Sequence, residues 1–368
     1  MKSVNQQIQD ATIAHGVDLS RYSQSVVLKI IAVLNRSDRN LHAELLKVLA
    51  NTTPSTFQME RLEGMLGSVR AINSEAYAQV GRVLNEELRN FADYEMDYQL
   101  QTLIRIFPVQ VSFASVAVDQ VYVAAMSRPF QGALLKDFLK DQDVNKARLI
   151  RRAIASGFME GRTTDQIVRS IIGTLKAKYA DGLLEVTRRE AQAVVRTALS
   201  HLASNVQESI GKANLDVIKA VQWSSTLDSR TSEQCRIRDQ LLYDPVTHKP
   251  QGHEIPWLAG PGKIHFNCRS AQVFVTKSLR EMGIDLPELV TPGERASMDG
   301  QVAPDTSYAT WIKQQSAARQ DDILGPRRGA LLREGGLELK DLYSARGTPL
   351  TLVQLRERDA AAFKRAGL

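Results

Sequence analysis

The sequence predicts a mainly α protein with a small α+β domain: long N-terminal helices, then a compact loop-rich domain with a short antiparallel sheet, then an extended helical tail. Three observations carry that expectation. Apolar residues recur at helical spacing from Gln6 to Gly211 with few interruptions. Aromatics are only 6% of the chain, and Ala, Leu, Gln and Arg are frequent, a composition that leans towards helix. Gly, Pro, His and Cys become frequent only between Ala220 and Asn267, where the texture changes to loops and short strands.

Taken in order, Gln6 to Leu49 reads as two amphipathic helices, with Val26, Ile30, Ile31 and Leu34 on one and Leu41, Leu45, Leu46 and Leu49 on the other. The run Asn51-Thr52-Thr53-Pro54-Ser55-Thr56 is a breaker, after which one or two long helices run from Phe57 to about Ile106, ahead of Pro108. Val109 to Met126 is expected to be helix, although its Val, Ala and Ser content also suits strand. Helix resumes from Leu134 to Leu199 with a stop and restart at Ala155–Gln166, where Thr163 or Thr164 is placed to cap the helix holding Ile167, Ile171 and Ile172. A further helix spans about Leu184 to Gly211.

Lys219–Ser225 reads as a strand, and Ser270–Val275 alternates like one, so antiparallel pairing of the two would close the loop between them. Beyond Thr276 the chain is polar, with short helices expected around Tyr308–Ile323 and Val353–Arg365. The Gly- and Arg-rich segment from Gly325-Pro326-Arg327-Arg328-Gly329 onward is expected to order against a partner. Three domains follow: a helical arm over 1–130, a central domain over 131–280, and a C-terminal extension over 281–368.

Composition also narrows function. No apolar run approaches the roughly 20 residues that cross a bilayer, and the start, Met1–Gln7, lacks a signal-peptide layout, so the expected location is the cytosol and not a membrane. Cys235 and Cys268 are too few for a disulfide scaffold, and a disulfide between them is disfavoured in a reducing compartment. The net charge of +6 and pI near 9.2 are compatible with contact to nucleic acid. Arg188, Arg189, Arg196, Arg327 and Arg328 are the candidate DNA-facing residues, set against the plainer role of solvated helix faces.

The densest chemistry lies between Trp223 and Arg269. His265 and Cys268 are three apart, so one tight turn aims both at a single ion, and Cys235 can supply a third ligand. Asp228, His253, His248 or water are candidates for a fourth. Zinc accepts such a mixed shell and would tie down a loop of about thirty residues with little apolar content. The competing assignment makes both cysteines small buried hydrophobes and gives His265 a backbone carbonyl. A catalytic role for Asp228, Arg230 and His265 in acid-base or phosphoryl chemistry is a further alternative, without a nucleophile elbow or phosphate loop to support it. Asp228 also suits capping of its own turn, with Arg230 as its ion-pair partner.

The order of these residues resembles the head-morphogenesis domain of the Mu F-like minor head proteins of bacteriophages. The resemblance rests on Arg196-Thr197, Trp223, Asp228-x-Arg230-Thr231, Cys235, the following prolines, and His265-x-Asn267-Cys268-Arg269, with Gly157–Gly161 as a helical lead-in; it covers roughly 150–280. The chain departs from the family where a Gly is common after the Cys-or-His position, having Asp239-Gln240 instead. The family's His-Pro-Asn-Cys-Arg-Cys box reads His265-Phe266-Asn267-Cys268-Arg269-Ser270, which removes one possible metal ligand. The resemblance implies a virion minor head protein made in the host cytoplasm, residing in the head interior or portal region. Its implied partners are the portal protein, capsid and scaffold proteins, and packaged double-stranded DNA, with delivery alongside the genome as a further implication. The alternatives are a sequence-nonspecific DNA-binding protein and a nuclease- or transferase-type enzyme. Against the latter, the chain from Thr276 to Leu368 has no His or Cys.

Overall fold

The computed structural model describes residues 3–174, 176–177, 179–285 and 294–368. Among these the chain is mainly helical, with thirteen α-helices and a small four-stranded antiparallel sheet, as the sequence predicts. The helices α1 (Val4–Leu49), α2 (Met59–Met65), α3 (Gly67–Ile106), α4 (Val118–Met126), α5 (Leu135–Met159), α6 (Thr164–Ile172) and α7 (Glu185–Ala213) come first. Strand β1 (Ile218–Ser224), helix α8 (Glu233–Arg236), β2 (Leu242–Tyr243), β3 (Pro250–Gln251) and β4 (Ala271–Thr276) form the loop-rich region. A hairpin of β5 (Arg295–Ser297) and β6 (Gly300–Val302) leads to α9 (Tyr308–Lys313), α10 (Ala317–Leu324), α11 (Pro326–Arg333), a 3-10 turn at Leu339–Leu342, α12 (Leu352–Arg358) and α13 (Ala360–Arg365). No helix among the described residues is long and apolar enough to cross a membrane.

Two compact units share these elements. One comprises Met1–Leu19, Ala92–Val121 and Ser200–Leu368, the other Ser20–Phe91 and Tyr122–Leu199. The divisions between these units fall within α1, α3 and α7, each of which contributes to both.

In the unit built from Ser20–Phe91 and Tyr122–Leu199, the expected pair of N-terminal helices is a single helix. The polar stretch Arg36–Asn40 between the two apolar runs contains neither Pro nor Gly, and its Asp38 is buried. Lys146 Nζ and Arg188 Nη2 donate to the two Asp38 oxygens at 2.7 and 2.5 Å, and Arg188 Nε donates to Asn35 at 3.0 Å. A buried ion cluster therefore replaces apolar contact for one turn of α1. On either side of it Leu34, Leu41, Leu45 and Leu49 are buried, the last three in a core with Leu62, Ile150, Ile154 and Phe158. The Gly157–Gly161 stretch ends α5. A Cβ at Gly157 would lie 2.5 Å from Ile167 Cγ1, so only glycine lets α6 approach, and Gly161 at φ 75° turns the chain before the Thr163 N-cap, whose hydroxyl accepts from Gln166 N. The segment Val109–Ala117, expected to be helical, is not; helix begins at Val118.

In the other unit the sheet order is β3-β2-β1-β4, with β1 and β4 antiparallel from Ile218↔Thr276 to Ser224↔Ala271, the pairing the alternation predicts. The C-terminal residues are not an extension waiting for a partner. Trp311, Ile312, Leu331, Leu339, Leu355 and Phe363 bury each other around Leu227 and Ile237 from the loop after β1. Gly325 at φ 84° followed by Pro326 at the start of α11 is the stop-and-restart signal that composition alone presents as loop. The fully buried Arg295 secures this arrangement. Its guanidinium donates to both Asp239 oxygens at 2.9 and 2.7 Å and to the carbonyls of Thr306 and Ser225, while Asp239 also accepts from Ser225 N and Tyr308 N.

Removing one partner of such a pair strands a buried charge. Arg295→Ala is expected to cost about 3–5 kcal/mol in denaturant unfolding, and Asp239→Ala/Arg295→Ala less than the sum of the single changes. Additive losses would show that the pair is not coupled.

Candidate metal centre

Cys235 and the His265–Cys268 pair, some thirty residues apart in the sequence, converge at the end of the β1–β4 pair. Cys235 sits in α8, which Ser232 caps by accepting from Cys235 N at 3.3 Å. His265 and Cys268 occupy the turn entering β4, closed by Cys268 N donating to His265 O at 3.2 Å, with Asn267 in the left-handed region at φ 56°. Asn tolerates that conformation better than most residues, which is the physical use of the Asn in this box. The Sγ atoms of Cys235 and Cys268 are 3.8 Å apart, and His265 Nε2 lies 3.4 Å from Cys235 Sγ. All three ligand atoms fall within 4.8 Å of one another.

The Cys235–Cys268 and Cys235–His265 spacings suit a tetrahedral ion. With bonds of about 2.3 Å to sulfur and 2.0–2.1 Å to nitrogen, tetrahedral angles place two sulfurs roughly 3.8 Å apart and a sulfur and nitrogen roughly 3.5 Å apart. The tautomer suits it as well. His265 Nδ1 lies 2.9 Å from the Phe266 carbonyl, which can only accept, so Nδ1 carries the hydrogen and neutral Nε2 turns its lone pair towards the sulfurs. Ser232 Oγ, 2.8 Å from Nε2, also faces the group.

The electrostatics favour one thiolate. The hydrogen bond from Cys235 lowers the Cys268 thiol to about 7, helped by backbone N–H groups of Ser270 and Gly262 against the opposing effect of burial. Cys235 is pushed up by that same hydrogen bond and by burial. His265 is raised, chiefly by its hydrogen bond to Cys235. That direction calls for charge on Cys235, whereas the sulfur pair places it on Cys268; the backbone donors at Cys268 make the second placement the sounder one.

The three side chains that are candidate fourth ligands do not belong to the group. Asp228 is committed elsewhere: Arg269 grips its two oxygens at 2.5 and 2.9 Å, Thr231 Oγ1 donates at 3.0 Å, and Arg230 N closes the turn at 3.1 Å. Burial pushes the Asp228 carboxyl up, but Arg269 and Thr231 outweigh it and hold the group below the usual carboxylate range. His253 has Nε2 at 2.9 Å from Leu242 O and accepts from Ile255 N at Nδ1. His248 stacks on Trp257 instead. Asp228 and Arg269 thus form a brace across the loop, and Arg230 is exposed beside it. Trp223 is fully buried, edge-on to Trp257 at 5.3 Å.

Of the arginines read as DNA-facing, Arg188 is not available, because it is buried on Asp38. Arg189 and Arg327 are exposed, Arg196 donates to Gln24, and Arg328 donates to Leu350 O. Ser232 was not anticipated, although its position before an acidic first turn is a readable cap signal, nor was the Asp239–Arg295 pair, which nothing local announces. Lys263 was equally unforeseen; it anchors the approach to His265 by donating to the buried Glu208 of α7 at 2.5 Å. No protein family, curated protein or solved structure matches the chain.

Asp228 titrates below the roughly 3.9 of an unfolded aspartate, so its contribution is full at neutral pH and is lost as pH falls through the lowered folded value. Asp228→Asn should cost about 1–2 kcal/mol at pH 7, moderated by the partial exposure of Arg269, and should flatten the acid limb of stability against pH. Melting curves recorded from roughly pH 2 to pH 7, across the carboxylate range, read both effects. An unchanged acid limb would remove Asp228 from the brace.

Proposed function

We propose that this chain is a bacteriophage minor head protein acting in head morphogenesis, and that its loop-rich region is held by one structural zinc ion on Cys235, His265 and Cys268. The observation that carries the proposal is convergence. Six of the residues on which the resemblance to Mu F-like head proteins rests, spread from Asp228 to Arg269, meet in two groups. Asp228 joins Arg269 and Thr231, while Cys235 joins His265 and Cys268. A coincidental spacing of common residues gives no reason for such pairing.

The donor set supports zinc on chemical grounds. Two thiol sulfurs and an imidazole are soft-to-borderline ligands, and spacing and tautomer both fit a tetrahedral ion. When bound, zinc supplies a cross-link. The chain's own residues do the rest: Ser232 fixes the helix turn carrying Cys235, Asn267 turns the box, and the Asp228–Arg269 brace holds the two sides of the loop together. A structural role is favoured over acid-base chemistry because Asp228 is bound up with Arg269 and His265 with Ser232 and Cys235. The portal, the capsid and scaffold proteins and packaged DNA are the proposed partners, the basic charge suiting proximity to a polyanion.

Elemental mass spectrometry of protein purified without chelator should find about one zinc per chain, lost in Cys268→Ser and His265→Ala, with chelator lowering the melting temperature of the wild type alone. Metal-free protein indifferent to chelator would refute the zinc. For the head assignment, heads purified from phage-producing cells should contain the chain, protected from protease until the heads are opened. A chain found only in the head-free soluble fraction would refute it.

A further inference from the structure

A second feature lies among the C-terminal helices, away from the metal centre in the sequence and independent of the head-protein proposal. A groove of about 550 Å³ has an apolar floor of Leu352, Val353, Phe363 and Leu368 and a rim carrying Arg327 and Arg356. Its apolar residues break the local pattern. Leu331, Leu355 and Phe363 are buried in the core of these helices, as amphipathic helices require, yet Val353 is 67% exposed and Leu368 40% exposed.

The charges break the pattern too. The neighbouring arginines are used internally: Arg328 donates to Leu350 O, Arg333 to Asp321, Arg358 to Tyr343 O, and Arg365 to Gly335 O. Arg327 and Arg356 have no anionic partner among the described residues, and Arg356 lies over the Phe363 ring at 4.8 Å. Glu357 is the one acidic residue of the lining.

We propose that this groove is a docking site for a protein segment presenting an apolar ridge flanked by carboxylates. The ridge covers Val353 and Leu368, and the carboxylates pair with Arg327 and Arg356, whose planar guanidinium groups suit bidentate recognition of carboxylate. Charge complementarity selects an acidic occupant over a basic one. Nucleic acid fits less well, because a phosphate backbone leaves the aliphatic floor uncovered and meets Glu357, while the Phe363 ring that could stack a base is buried under Arg356. Opposite charges around an apolar centre are the usual anatomy of a protein interface.

The test is fluorescence anisotropy on the full chain with a labelled synthetic helix of about fifteen residues, leucines on one face and glutamates on the other, beside the same helix with lysines and a labelled DNA duplex. Wild type should bind the glutamate peptide and not the lysine peptide, and Arg327→Glu/Arg356→Glu should weaken the first at least about tenfold and favour the second. Val353→Asp, at an exposed position, should weaken the glutamate peptide with the melting temperature unchanged. The proposal is overturned if neither peptide binds, if both bind equally, or if the charge-reversed protein keeps its affinity. Duplex binding lost in the charge-reversed protein, with no peptide binding, would assign the groove to nucleic acid instead. Chelator should leave the peptide result unchanged, which separates this outcome from that of the zinc.

Discussion

One buried carboxylate organises the loop-rich unit. Asp239 accepts from Ser225 N at the end of β1 and from Tyr308 N at the start of α9, and it binds Arg295 through both oxygens. Burying a charge is costly unless its hydrogen-bonding capacity is filled, and here two backbone N–H groups and a bidentate guanidinium fill it. Three segments remote in sequence are thereby fixed to one point. Ser225 in turn donates from its hydroxyl to Cys235 O, and Tyr308 OH donates to Asp228 O, so the loop carrying the candidate metal group inherits its position from the same hub.

The same device recurs in the helical unit with a different purpose. Asp38 and Lys146, within α1 and α5, and Arg188, in the first turn of α7, are buried between layers of leucine and isoleucine. An all-apolar stripe permits helices to slide by one turn at small cost, whereas a buried ion cluster matches in only one register. Lys263 with Glu208 does for the loop before His265 what Arg295 does for the C-terminal helices. Burial pushes the Glu208 carboxyl up, and Lys263 outweighs it to hold the group below its ordinary range.

The Cys235, His265 and Cys268 group sits on backbone turns that are closed by their own hydrogen bonds. Its ligand spacing comes from α8 on one side and the His265–Cys268 turn on the other, each tied down by hydrogen bonds of its own. Such preorganisation lowers the entropic cost of collecting ligands from a loop. The Asp228–Arg269 brace spans the same gap without metal.

Much of this was legible in the sequence because the relevant signals are local. Helical periodicity marked α5, α6 and α7, alternation marked β1 and β4 and their antiparallel pairing, and the His265-x-x-Cys268 spacing with Cys235 named the three members of the candidate metal group. Tertiary structure decided whatever depended on partners distant in the chain. Arg36–Asn40 resembles a helix break until Lys146 and Arg188 are seen to neutralise Asp38, and the same contact withdraws Arg188 from any DNA-facing role. Asp228 and His253 are plausible ligands by type, but their lone pairs are engaged by Arg269, Thr231 and Ile255. The C-terminal helices read as loose because each is too short to bury an apolar face alone, and only their joint packing on Leu227 and Ile237 makes a core. A sequence records each residue's chemistry and its near neighbours. Which distant group satisfies a buried charge is settled only when the chain closes on itself.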